Sequence, residues 1–328
     1  MNHLIDKIHS AKSILLSTHR QCDGDGLGAE LAVYFALKKL GKKVDVINID
    51  PTPKKYHFLN PDQHIQYYEQ IKKLPQKYDL ALIFDTNDER MLAPLFKELS
   101  STTVEIAYLD HHPILKQGPS PTHISWIDTA AASTGEMAFK LIKSLRIELD
   151  HAICRCLYTS ITFDTQLYRY IRNSPASHQI AAELLTYQIQ PEEIHRHLFG
   201  NQTVHKMAFL AKALGQIEYY CEGSLSILKI KDADMFHYNL EPDESRDVID
   251  MIMNIQTLEA AALFREDSAN EYKVSLRSKG RIEVLDVAEQ LQGGGHLYSA
   301  GAFVTGDYNE IKEKVVLLMT EQLSRAKK

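Results

Sequence analysis

Four cysteines and one tryptophan are all that 328 residues contain of either type. Cys22, Cys154, Cys156 and Cys221 form no Cys-x-x-Cys pair, which argues against a thiolate zinc ribbon and against a disulfide framework. They read as reduced thiols, and a cytoplasmic protein is expected. Long apolar runs are also missing. None approaches the ~20 residues that cross a bilayer, and the first turn carries Asp6 and Lys7 instead of a signal-type apolar core, so no membrane partner is expected. Positive charge is not in excess: 37 Lys and Arg against 43 Asp and Glu leave −6. No bulk field therefore draws in long duplex DNA. Short or mononucleotide substrates need few phosphate contacts and remain open.

What is present is enough chain for two cores. The first half alternates strand and helix patterns: strands at 13–18, 43–49, 79–84 and 105–109, and helices at 26–40 and from Ser133 or Thr134 to Leu145. Such alternation implies an α/β fold with a mostly parallel sheet flanked by helices. From about 150 to 205 the pattern is helical, including 176–187 and a Pro191 start. Beyond Gly215 it turns α+β, with strands at 225–230, 260–265 and 272–276, a hairpin near 267–270, and helices at 243–255 and 311–323. The expected organisation is an N-terminal domain over 1–190, a helical linker over 191–215, and a smaller α+β domain over 216–328 across a cleft.

Acid and histidine clusters punctuate the first domain at equivalent places: His19, Asp23 and Asp25, then Asp85, then Asp110, His111 and His112, then Asp164. The first three clusters follow strand-like runs. In an open parallel sheet the carboxyl ends of the strands line the crevice that binds ligands. Any one of these aspartates alone is more often a cap or a turn residue; the argument rests on their conjunction. Oxygen and imidazole donors together suit manganese, zinc or iron. The rival reading is a dinucleotide loop, with Gly24, Gly26 and Gly28 after a strand and Asp50 ending the next. It accounts for the glycines and leaves Asp23 and Asp25 aiming negative charge at a pyrophosphate.

These motifs resemble the DHH phosphoesterases, whose signature stands here as Asp110-His111-His112. The first motif fits His19-Arg-Gln-Cys-Asp23-Gly-Asp25-Gly, the second Phe84-Asp85-Thr-Asn, and the fourth Phe163-Asp164-Thr-Gln-Leu-Tyr-Arg-Tyr170. The last half resembles the DHHA1 domain through Val274-Ser-Leu-Arg277-Ser278 and Gly293-Gly294-Gly295-His296 followed by Ala300-Gly301. Size and layout look most like the NrnA-type nano-RNases, which also dephosphorylate adenosine 3′,5′-bisphosphate (pAp). The chain departs from the pattern at Cys22, usually proline, and Gln166, usually glycine.

The resemblance implies a manganese-dependent phosphoesterase that hydrolyses short oligoribonucleotides or dinucleotides to mononucleotides, or pAp to AMP. A cyclic dinucleotide phosphodiesterase is the nearest alternative, and a non-catalytic nucleotide sensor is one of another class. His19, Asp23 and Asp85 would hold one Mn²⁺, and Asp25, Asp85, His111 and Asp164 the second, with a hydroxide shared between them. Asp110 would orient a ligand imidazole, and His112 would face the phosphate or protonate the leaving oxygen. Arg277, Ser278, Gly293, Gly294, Gly295 and His296 would bind a terminal phosphate, the glycines as an anion nest, with Arg169 as a further phosphate contact. Tyr168 and Tyr170 are read either as base-stacking or as packing residues. A homodimer is the family-based expectation. His195 and His197 receive no role.

Overall fold

The computed structural model describes residues 1–60, 63–114, 121–200, 202–240 and 242–326. Contacts divide the chain into Met1–Asn201 and Gln202–Lys328. The helical stretch expected as a linker over 191–215 is therefore shared between the two units.

The first unit runs α1 (Asn2–Ser10), β1 (Ser13–Thr18), α2 (Gly24–Lys39), β2 (Lys43–Asn48), β3 (Ile65–Tyr67), α3 (Tyr68–Ile71), β4 (Tyr78–Phe84), α4 (Leu95–Thr102), β5 (Thr103–Asp110) and β6 (Trp126–Ile127). Helices α5 (Thr134–Ser144), α6 (His151–Asp164), α7 (Ala176–Leu185) and α8 (Pro191–Phe199) follow. The six-stranded sheet has the order β3-β2-β1-β4-β5-β6, and each adjacent pair is parallel. Successive residues of β1 bury into opposite cores: Ile14 and Leu16 among residues of α2, α5 and α6, Leu15 among residues of α4. That explains why β1 reads as an unbroken apolar run rather than an alternation. The chain leaves β1 toward β2 and later returns to place β4 on its other side. The order therefore reverses between β1 and β4, where open α/β sheets hold ligands beyond their carboxyl ends.

The second unit comprises α9 (Val204–Leu214), β7 (Glu218–Tyr220), β8 (Leu225–Ile230), α10 (Asp232–His237), α11 (Arg246–Ile252), β9 (Ala260–Ser268), β10 (Glu271–Ser278), α12 (Val284–Gln290), β11 (Gly294–His296), β12 (Ser299–Thr305) and α13 (Tyr308–Ala326). Its sheet order is β11-β12-β10-β9-β8-β7; β8 and β9 are parallel, and the other pairs are antiparallel. The helix expected over 243–255 is a 3-10 turn, Pro242–Ser245, followed by the shorter α11. No helix among the described residues is long and apolar enough to cross a membrane.

Candidate metal centre

The clusters converge at the carboxyl ends of β1, β4 and β5. His19 follows β1, Asp85 follows β4, and Asp110 ends β5. Asp23 is the N-cap of α2, its Oδ1 accepting from the N–H groups of Asp25 at 3.1 Å and Gly26 at 3.4 Å. This cap starts α2 at Gly24, earlier than its apolar spacing shows. Asp164 ends α6, and Asp85 adopts φ +59°, a left-handed conformation uncommon for aspartate.

Two sets of ligand atoms gather around Asp85. His19 Nε2 lies 3.8 Å from Asp23 Oδ1 and 3.5 Å from Asp85 Oδ2. His111 Nε2 lies 3.5 Å from Asp25 Oδ2, 3.6 Å from Asp85 Oδ1 and 3.5 Å from Asp164 Oδ2. These separations exceed ordinary hydrogen bonds. They match the ~3–4 Å between two atoms that each sit ~2.0–2.2 Å from one ion. Within each of the trios His19, Asp23, Asp85 and Asp25, His111, Asp164, one ligand atom per residue lies within 4.8 Å of the others.

The histidine tautomers suit ligation. His19 Nδ1 is 2.8 Å from the Arg20 carbonyl oxygen, and His111 Nδ1 is 3.2 Å from that of Ala131. A carbonyl only accepts, so Nδ1 carries a hydrogen in both rings and Nε2 faces the carboxylates, where it can ligate once it has lost its own proton. Such an arrangement calls for a cation or a proton between the groups. Burial alone would lower the His111 pKa, but Asp164, Asp85 and Asp25 outweigh it and push it up to about 10. Burial opposes protonation of His19 too, yet bonding and charge from Asp23 and Asp85 carry it well above its usual value. Asp25 is raised by burial and then by the charges of Asp85 and Asp164. For Asp85 burial acts upward, but His111 and His19 hold it well below the carboxylate range. The donor set therefore fits divalent metal.

Residues outside the sequence motifs hold these ligands. Asp25 accepts from the Thr134 N–H at 2.8 Å and the Gly135 N–H at 3.1 Å, both in the first turn of α5, and from Ser160 Oγ. A helix N-terminus favours that carboxylate. Thr134 Oγ1 donates to Asp85 Oδ1 at 2.9 Å. The Ser133–Glu136 spacing signals the start of α5, but nothing local shows where that start points. Asp50 of the rival dinucleotide reading accepts the Gln21 N–H at 2.8 Å and so braces the His19 loop. The rival's glycines have packing roles: a Cβ on Gly24 would meet Phe163 at 2.8 Å, on Gly26 Thr18 Oγ1 at 2.2 Å, and on Gly28 the Cys156 carbonyl oxygen at 2.6 Å.

The imidazole that Asp110 orients is His112. Asp110 Oδ1 accepts from His112 Nδ1 at 2.8 Å and from its backbone N–H at 3.1 Å, and Oδ2 accepts from Asn87 Nδ2 at 2.6 Å. The His111 ring is steered by the Ala131 carbonyl instead. Asn87, two residues past Asp85, also donates to the His112 carbonyl at 3.2 Å, ties β4 to β5, and was not singled out by sequence. Gln166 takes φ +47°, which is the physical reason glycine suits that position. Tyr168 packs: its ring stacks on His178 at 5.1 Å, and its hydroxyl lies 3.2 Å from Thr162 Oγ1. Tyr170 is exposed, with the exposed Arg169 guanidinium over its ring at 5.9 Å.

Buried Glu30 on α2 is another residue sequence reasoning missed. Its Oε2 accepts from Asn48 Nδ2 at 3.0 Å, and Asn48 Oδ1 accepts from the Thr18 N–H at 3.2 Å, next to His19. Burial pushes the Glu30 pKa up to about 8, against Asn48 and His19, which lower it. At neutral pH the folded chain keeps this proton and the unfolded chain releases it. Stability from this group is thus complete below the unfolded value of 4.5 and is lost as pH rises toward 8. Glu30→Gln should leave metal-free stability unchanged near pH 4 and raise it, relative to the parent, by on the order of 2–3 kcal/mol at pH 7–8. Denaturant titrations in chelator at both pH values measure this; a difference independent of pH would count against it.

In the second unit, Arg277 on β10 faces Ser299 on β12, which faces His296 on β11. Directly opposed residues share a sheet face, so the three form one row. Arg277 Nη1 donates to the Leu276 carbonyl at 3.1 Å, and Nε lies 3.5 Å from Asp250 Oδ1. Ser278 Oγ accepts the N–H groups of Gly280 at 3.1 Å and Ile282 at 3.4 Å, shaping the turn after β10. The glycines expected as an anion nest pack closely on β12. A Cβ on Gly293 would meet the Gly301 carbonyl oxygen at 2.0 Å, and one on Gly295 the Ala300 Cα at 2.6 Å.

Comparison with known proteins agrees with this layout. The DHH family, N-terminal domain, matches residues 13–161, and the DHHA1 domain matches residues 224–322. A Thermus thermophilus protein named bifunctional oligoribonuclease and PAP phosphatase NrnA is 28% identical over 318 residues, 95% of this chain and 91% of that protein. The Bacillus subtilis protein of the same name is 22% identical over 305 residues, covering 92% of each. A crystal structure of an exopolyphosphatase-related protein from Bacteroides fragilis superposes with a TM-score of 0.87 at 21% identity, over 100% of this chain and 98% of that one. With both domain matches in order on this fold, the chain belongs to the DHH/DHHA1 family of metal-dependent nucleotide phosphoesterases.

Proposed function

We propose that this protein hydrolyses short oligoribonucleotides to mononucleotides and converts pAp to AMP. The observation that carries the reading is that His19 Nε2 faces Asp23 and Asp85 Oδ2 while His111 Nε2 faces Asp25, Asp164 and Asp85 Oδ1. The names of the Thermus and Bacillus relatives supply the substrate class. His19, Asp23 and Asp85 would hold one divalent ion, and Asp25, Asp85, His111 and Asp164 another. Manganese suits this mix of imidazole and carboxylate better than magnesium, which prefers oxygen and keeps its waters. When bound, the ions supply Lewis acidity at the phosphoryl oxygens and lower the pKa of water.

The chain's own groups prepare the site. Carbonyl partners fix Nε2 of both ligand histidines toward the carboxylates. The first turn of α5 holds Asp25, and Thr134 holds Asp85. Asp110 keeps the Nδ1 hydrogen of His112 engaged, leaving Nε2 to carry a proton to the leaving oxygen. Arg277 and His296 hold an anionic end of the substrate, where a guanidinium can grip phosphate through paired N–H groups.

The test is a panel incubated with Mn²⁺: pApA, a five-nucleotide RNA, a long RNA, pAp, pyrophosphate and cyclic di-AMP. Mononucleotides from the short RNAs and AMP from pAp are expected, with long RNA spared and turnover abolished by chelation. Silence on all six with retained nucleotide binding would replace this reading with a sensor. A second expectation concerns protons. Burial notwithstanding, His19 and His111 are raised above the usual imidazole range in the metal-free site by the carboxylates around them and must be neutral to ligate, so loading should release protons and affinity should climb with pH. Calorimetry in buffers of different ionisation enthalpy counts them; a count near zero would remove these histidines from the ligand set.

A further inference from the structure

The half-buried row Arg277, Ser299 and His296 is one end of a sheet face that becomes more exposed toward Phe303. Two residues along, Ser275 faces Gly301, which faces Gly294; two further, Lys273 faces Phe303. The intervening residues Tyr272, Val274, Leu276, Ala300 and Ala302 point the other way, into the core shared with α12 and α13. On the Arg277 side the helices cover only part of the sheet. Ala261 and Leu263 of β9 are buried with residues of α9, α10 and α11, whereas Ser275, Ser299, Gly301 and Gly294 are only half-buried and Phe303 is 54% exposed. Lys273 Nζ lies over the Phe303 ring, 5.4 Å from its centroid. Arg265, opposite Lys273 on β9, is buried and paired with Asp267 through Nη2 at 2.9 Å, so it closes the β9 side of the strip.

We propose that this strip is a subsite for a single-stranded oligonucleotide longer than a dinucleotide. It runs from Arg277 and His296 past Ser275, Gly301 and Gly294 to Lys273 and Phe303. Arg277 and His296 take one phosphate, a base farther along stacks on Phe303, and Lys273 meets a second phosphate about 13 Å from the first row, four strand residues away. Cations interleaved with an exposed aromatic on a flat strand face are the chemistry that binds single strands without reading sequence. The small residues between leave the backbone path clear. The proposal rests on the oligonucleotide reading above and adds a determinant of length.

The experiment measures binding of labelled pApA and a labelled five-nucleotide RNA by fluorescence anisotropy, in chelator so that neither is hydrolysed. Phe303→Ala should weaken the longer RNA about tenfold, with Phe303→Tyr restoring it. Lys273→Ala should reduce the slope of log K against log salt by about 0.7. The dinucleotide, reaching only the Arg277 row, should change less than twofold. Equal losses on both ligands, or no loss on either, would overturn the strip. So would a Phe303→Ala protein that shifts from dimer to monomer in light scattering with RNA affinity unchanged, because the face would then belong to a second copy of the chain. Failure of the unmutated protein to bind either RNA would instead overturn the oligonucleotide reading and the strip with it.

Discussion

Asp85→Asn should abolish metal-dependent hydrolysis, with a fall in kcat on the order of 10³-fold or more, while the folded protein persists. Asp85 turns Oδ2 to His19 and Oδ1 to His111, so its carboxylate serves both ligand groups. The amide replaces one oxygen with an N–H₂ that cannot ligate and removes a charge that, on the proposed reading, would help hold a second ion. Losing the Lewis acidity of a correctly held ion forfeits several kcal/mol of transition-state stabilisation, and each ~1.4 kcal/mol is tenfold in rate. Metal-free stability should fall, because against burial His111 and His19 hold the Asp85 carboxylate ionised, but the chain should still fold, since the apolar cores on both faces of the sheet are untouched. Single-turnover rates at saturating Mn²⁺, with thermal unfolding of the same preparation, make the check. Near-parental turnover would mean that Asp85 does not bridge the site.

Gly28→Val is the substitution expected to cost most in stability. A Cβ at Gly28 would stand 2.6 Å from the Cys156 carbonyl oxygen, 2.8 Å from Ser160 Cβ and 2.9 Å from the Ser160 N. Two of these atoms belong to the α6 backbone and cannot rotate away. Relief requires α2 and α6 to separate, and overpacking of this kind costs about 3 kcal/mol or more when backbone must shift. The same separation pulls Asp25 on α2 from Ser160 on α6, its hydrogen-bond partner, and from Asp164 at the α6 terminus. Metal affinity should fall together with the denaturation midpoint. A Gly28→Val protein as stable as the parent, with unchanged Mn²⁺ affinity, would show that α2 and α6 do not need this contact.

Much of the candidate site was legible because its histidines and aspartates lie in short motifs at the ends of apolar runs. β4 and β5 pass from their last apolar residues, Phe84 and Leu109, straight into Asp85 and Asp110, and β1 reaches His19 through the buried Ser17 and Thr18. The Gly24, Gly26 and Gly28 series was ambiguous in sequence, since a loop that cradles phosphate and a helix that packs closely both demand glycine. Only the approach of Phe163, Thr18 and Cys156 distinguishes them. Glu30 carried no signal at all. In sequence it is one more acid in a helix, and its burial against Asn48 depends on how α2 lies over the sheet.

The sequence by itself determined the α/β character of the first unit, the order of the ligand motifs and the class of chemistry, because residue type and strand ends are local properties. Tertiary structure alone decided which groups meet: Asp110 with His112 rather than His111, Thr134 with Asp85, and Arg277 with His296 across β12. Thr134 and Asp85 lie on different elements, Arg277 and His296 share a row only through the registers of β10, β12 and β11, and Asp110 takes His112 because His111 is turned to the distant Ala131 carbonyl. The open face bearing Lys273 and Phe303 arises in the same way, because helical cover ends at β9 and no local pattern in β10 or β12 records where a distant helix stops.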